Sequence, residues 1–181
     1  MLILTVLTIA CCCGLPAYLA KPIWEQYPAK AVLPAEVADL SLLDEQASAR
    51  TTERLKQNLG TAHWLADDRF AGVYADQNDK RVTVFGVTGF RLSPDSDVDA
   101  EIKRLTDEYQ LTGVQSIETG TRGEYRSCGT GRAGGTAVVV CIWGDHGSLG
   151  TGLFTRRSVP DSANLLAQLR ASIVIRDRAA A

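Results

Sequence analysis

The sequence has no excess of charge of either sign: 19 Lys and Arg stand against 21 Asp and Glu, a formal net charge of −2, with no long run of one sign. That balance excludes a dedicated nucleic-acid surface. Histidine is almost missing. His63 and His146 are the only two, neither has a partner at ligand spacing, and the Asp67-Asp68 pair after His63 reads as a solvated loop, so no metal site is expected. Cysteine is sparse where it matters, since three of the five occupy positions 11–13 and only Cys128 and Cys141 remain for the rest of the chain. Charge is absent from the first twenty residues, where 16 of 20 are apolar.

With 45% apolar and 22% charged residues, the 181-residue chain is neither a disordered tail nor a polytopic membrane protein. Its length fits one domain plus an appendage. Residues 1–20 read as a transmembrane helix or signal anchor, with a cleaved signal peptide and a lipoprotein signal as competitors. Cleavage after Ala20 or Ala17 would place Tyr18 or Leu15 at the −3 position, which disfavours the cleaved form. Lys21 directly after the apolar run would by itself keep the C-terminal part inside, whereas an even pair of cysteines argues for the outside. Pro22, Pro28 and Pro34 recur every six residues, so residues 21–36 read as an extended stalk. Residues 37–177 then form an extracytoplasmic α+β domain, and 178–181 a C-terminal tail.

Within that domain Val37 to Leu43 reads as a strand. Ala47, Thr51, Leu55 and Leu59 mark a helical stripe stopped by Gly60. Phe70 to Ala75 and Arg81 to Val87 form a hairpin around Gln77-Asn78-Asp79. Val98, Ile102, Leu105 and Tyr109 lie on a second helix entered through Ser96, with Asp99 completing a capping box. Strands follow at 114–118, 125–128, 137–143 and 149–155, and a last helix from about Asp161 carries Leu165, Leu169 and Ile173. This order predicts an antiparallel sheet with three helices on one face. The match of Thr88-Gly89-Phe90 with Thr151-Gly152-Leu153, each leading through Pro-Asp-Ser into a helix, adds the expectation of two related ββα-type halves.

Gly134-Gly135 is a two-residue turn of the kind that needs positive φ at both positions. Counting outward pairs Ala133 with Thr136 and sets Cys128 opposite Cys141, close enough for a disulfide. Val138, Val140 and Ile142 face one way, and Val139, Cys141 and Trp143 the other. Both sides are apolar, so this is an interior strand.

Gly129-Thr130-Gly131-Arg132-Ala133-Gly134 spells G-x-G-x-x-G but a strand follows it, where a dinucleotide site needs a helix, so no nucleotide or other cofactor is expected. Trp143, Asp145, His146 and Ser148 form the most unusual polar cluster and are the candidate functional loop. Asp145, His146 and Ser148 resemble a hydrolase triad in a row, yet neighbours on an extended chain point apart. A tight turn in which Asp145 bonds backbone amides and glycines supply unusual φ is the favoured reading. No catalytic residue is therefore assigned.

Cys128 together with Cys141-Ile142-Trp143-Gly144-Asp145-His146-Gly147-Ser148-Leu149-Gly150 resembles a loose group of uncharacterised actinobacterial membrane-anchored or secreted proteins. They carry a Cys, then Cys-x-Trp-(Ala/Gly)-Asp-x-x-(Ser/Thr)-x-Gly and a closing helix. Gly144 stands where that group favours Ala. The resemblance implies a location outside the membrane and brings no activity. The expected function is a non-catalytic binding or interaction module at the cell envelope, whose partner is an envelope protein or ligand, and which meets the bilayer through residues 1–20. The alternatives are a hydrolase built on Asp145, His146 and Ser148, or a thiol-disulfide redox protein using Cys128 and Cys141.

Overall fold

A computed structural model describes residues 15–43, 53 and 67–176. They build an eight-stranded, wholly antiparallel sheet and a separate two-stranded ribbon, with three helices whose limits are described. The helices are α1 (Leu15–Gln26), α2 (Pro94–Tyr109) and α3 (Val159–Ile173). The strands are β1 (Ala29–Ala31), β2 (Glu36–Val37), β3 (Leu40–Leu42), β4 (Asp68–Ala75), β5 (Arg81–Thr88), β6 (Thr112–Ser116), β7 (Tyr125–Ala133), β8 (Thr136–Asp145), β9 (Ser148–Thr155) and β10 (Val174–Arg176). The large sheet runs β2-β3-β4-β5-β9-β8-β7-β6, and β1 pairs with β10. The stripe around residues 47–59 lies outside the described residues, except that Glu53 is helical.

The protein is α+β with an antiparallel sheet, but the helices do not share a face. Val139, Cys141, Trp143, Val82, Val84 and Phe154 pack with Leu165, Leu166, Leu169 and Ile173 of α3. Val138, Val140, Ile142, Phe85 and Val87 pack with Val98, Ile102 and Leu105 of α2. Side chains alternate along a strand, so these two groups lie on opposite sides of the sheet. A strand apolar on both sides needs cover on both, and one helix goes to each. The same arrangement removes the two related halves. A two-fold exchanging the antiparallel neighbours β5 and β9 runs normal to the sheet and would leave both helices on one face.

The N-terminal expectations are corrected too. Among the described residues no helix is long and apolar enough to cross a membrane. Residues 1–14, which hold most of the expected anchor, lie outside the described residues, as do 178–181. The proline-spaced stretch is no free extended stalk: its first part ends α1, with Pro22 inside the helix, and Ala29–Ala31 forms a ladder with β10. Pro22 has no N–H for the carbonyl of Tyr18, four residues back. Arg122 donates Nη2 to that carbonyl instead, and its guanidinium lies 4.1 Å over the Tyr18 ring. A tertiary contact thus offsets the lost helical hydrogen bond.

Two local readings also change. Residues 37–43 hold not one strand but the end of β2, a turn through Ala38 with φ 55°, and β3. Helix α2 starts at Pro94 after Ser93, whose side chain makes no cap bond, so Ser96 is inside the helix rather than its cap. In α3 the cap does form, since Ser158 Oγ accepts from the Asp161 amide at 3.2 Å.

The β4–β5 turn holds a carboxylate with an acid-sensitive role. Asp76 Oδ1 accepts from the amides of Lys80 at 2.9 Å and Asn78 at 2.8 Å, and Oδ2 accepts from Arg157 at 3.0 Å. The Lys80 amide foremost, with the Asn78 amide and the Arg157 charge, holds this carboxyl below the usual carboxylate range against an opposing effect of burial. A lowered folded-state pKa contributes stability that is present above the unfolded value of about 4 and is lost as pH falls through the folded value. Wild type is therefore expected to lose stability between neutral pH and pH 3 by more than Asp76→Asn does, as read from urea midpoints at both pH values. Equal losses would remove Asp76 from the acid response.

Candidate functional site

The residues singled out in the sequence converge at one end of the sheet, where the β8–β9 turn, the β5–α2 connection, the β6–β7 connection and the end of α1 meet. Asp145 pairs with Ser148 across the two-residue turn His146-Gly147. Asp145 Oδ1 accepts the Gly147 amide at 2.8 Å, the backbone-binding role expected of it. The glycines act differently from expectation, because neither Gly144 nor Gly147 has positive φ. They permit close approach. A Cβ on Gly147 would lie 2.0 Å from the Gln26 carbonyl oxygen, and one on Gly144 2.5 Å from Val98 Cγ2.

Trp143 is fully buried and donates its indole N–H to Ser148 Oγ at 3.1 Å. Its ring lies across Gly150, where a Cβ would come within 2.1 Å of it, and stacks on Phe70 with centroids 6.1 Å apart. His146 is tied down at both ends of the residue. Its amide donates to Gln26 Oε1 at 3.1 Å, and its Nδ1 lies 2.8 Å from the Arg91 carbonyl oxygen. A carbonyl only accepts, so Nδ1 carries the proton. Asp145, His146 and Ser148 therefore each bond to other partners, and no hydrogen bond joins one of these side chains to another.

Beneath the turn lies a buried ionic network that sequence reading did not assemble. Asp145, with no exposed surface, receives Arg170 through Nε at 3.1 Å and through Nη2, and Arg176 through Nη2 at 3.2 Å. Glu124 Oε2 receives Arg170 Nη1 at 2.9 Å, and Glu124 Oε1 receives Arg126 Nη2 at 2.7 Å. Arg170 of α3 thus bridges two carboxylates and locks that helix to β8 and to the start of β7. The hairpin register contained a signal for this. Tyr125 pairs with Gly144, so Glu124 stands opposite Asp145, and two buried acids side by side demand cations. Nothing in the local pattern around Arg170 and Arg176 marked them as those cations.

Cys128 and Cys141 form a disulfide with Cα atoms 4.1 Å apart, both sulfurs buried between interior strands. They are directly opposed in the register, and Gly134 and Gly135 have φ of 55° and 83°. The G-x-G-x-x-G stretch is strand and turn. Among the described residues no group of three or more His, Cys, Asp or Glu side chains could hold a metal. The β6–β7 connection and the strand ends beside it, residues 116–126, line an open groove of about 430 Å³, Glu124 and Arg126 among them. Comparison with protein-family models, with curated proteins and with solved structures gives no match.

Proposed function

We propose that this chain is an exported, disulfide-stabilised binding domain that works at the cell envelope without chemistry of its own, its partner an envelope protein or ligand. The observation that carries the reading is the disulfide. A bridge at facing positions of interior strands belongs to a compartment where thiols oxidise, and the uncharged apolar start of the chain supports a route there. The bonds made by Asp145, His146 and Ser148 favour the same reading over a hydrolase, since Asp145 is held by Arg170 of α3, His146 by Gln26 of α1 and the Arg91 carbonyl, and Ser148 by the Trp143 indole. Burial of both sulfurs likewise disfavours a redox role, which needs an accessible thiolate.

Thiol mapping in the producing cell tests this. Alkylation in denaturant without reductant, followed by peptide mass mapping, is expected to leave Cys128 and Cys141 unlabelled, and both should label once a reductant is added. Two cysteines alkylated in denatured but unreduced material would overturn the placement outside the membrane.

A further inference from the structure

We propose that the groove of the β6–β7 connection is a site for a small carboxylate-bearing ligand, seated on the guanidinium of Arg126. The proposal rests on the reading of this chain as a binding domain and names the chemistry of what it binds. The space of about 430 Å³ is of the size that small-molecule sites use, which is about 300–1,000 Å³. Arg126 lines it, with a side chain only 9% exposed. Its Nη2 is taken by Glu124, while its Nε is buried and has no hydrogen-bond partner. That Nε is closed to solvent, so an anion in the groove would meet the charge of the guanidinium, whose one acid, Glu124, is shared with Arg170.

Charge points the same way. The network holds three guanidiniums, Arg126, Arg170 and Arg176, against the two carboxylates of Glu124 and Asp145, so it is one negative charge short. One monoanion balances it. A planar carboxylate suits a planar guanidinium better than a rounder anion does. The other charged residues of the groove are Arg122, which is directed to Tyr18, and exposed Glu118, whose charge opposes an anion. Half-buried Ile117 and the exposed ring of Tyr125 offer apolar wall for the rest of the ligand.

The test titrates the full chain with benzoate and with neutral benzamide at constant ionic strength, followed by calorimetry. Benzoate is expected to bind saturably and benzamide not to. Arg126→Gln should weaken benzoate about 10- to 100-fold, the worth of a hydrogen bond to a charged group. Glu118→Gln, a surface change, should tighten it, and this variant carries the test if Arg126→Gln does not fold. Equal binding of benzoate and benzamide, full benzoate affinity in folded Arg126→Gln, or unchanged affinity in Glu118→Gln would overturn the site. Saturable inorganic phosphate with no benzoate binding would overturn the carboxylate class. Any of these failures would leave the thiol map untouched, so the site can fall while the reading as an exported domain stands.

Discussion

Asp145→Asn is expected to destabilise the fold by about 3–5 kcal/mol, the cost of breaking a buried ion pair by removing one partner. The substitution keeps the side-chain oxygen that accepts the Gly147 amide, so the β8–β9 turn should survive. What it removes is the negative charge between Arg170 and Arg176, whose side chains are 12% and 28% exposed. Glu124 remains for Arg170, but it is already shared with Arg126, and no other acid in the network replaces Asp145. Arg176→Ala should cost less, because that side chain reaches solvent more freely. Urea unfolding of the two variants side by side measures both. A change under about 1 kcal/mol for Asp145→Asn would mean that apolar packing alone holds α3 to the sheet.

Replacing both Cys128 and Cys141 by Ala is expected to lower stability by about 3 kcal/mol in the chain-entropy model, given a sequence separation of 13. The register should not slip. Gly134 and Gly135 set the turn, and Val138, Val140 and Ile142 would exchange faces with Val139 and Trp143 on a one-residue shift. Retention of the native far-ultraviolet spectrum with a lower urea midpoint is the expected result. An unchanged midpoint would show that the hairpin is already as constrained without the bridge. Loss of the fold at low temperature would make the disulfide a condition of folding rather than an increment to it.

The β7–β8 hairpin shows how far local information reached. Two glycines and a count of residues were enough to place Cys128 on Cys141, because a two-residue turn leaves no freedom in the register that follows it. The same count, carried four residues further, sets Glu124 against Asp145. Of the cations that answer these acids, Arg126 stands two residues from Glu124 in the chain, whereas Arg170 and Arg176 come from α3 and β10, at separations that no periodicity records. Helix α1 is a similar case. Pro22 argued against a helix on local grounds, and the structure keeps the helix because Arg122, a hundred residues later in the chain, bonds to the carbonyl that Pro22 leaves open.

By itself the sequence determined the types of the elements from β4 to α3, the β4–β5 and β7–β8 hairpins and the disulfide, all of which depend on side-chain alternation and turn chemistry within a few residues. It also determined that β8 is apolar on both faces and hence interior. The tertiary structure alone decided that α2 and α3 cover opposite faces, since each helix carries one apolar stripe that fits either side of a sheet, and only the path of the chain selects between them. It alone decided the buried network as well. Burying Asp145 and Glu124 is tolerable only where Arg170 and Arg176 join Arg126, and that depends on where α3 and β10 end in space rather than on the acids' neighbours in the chain.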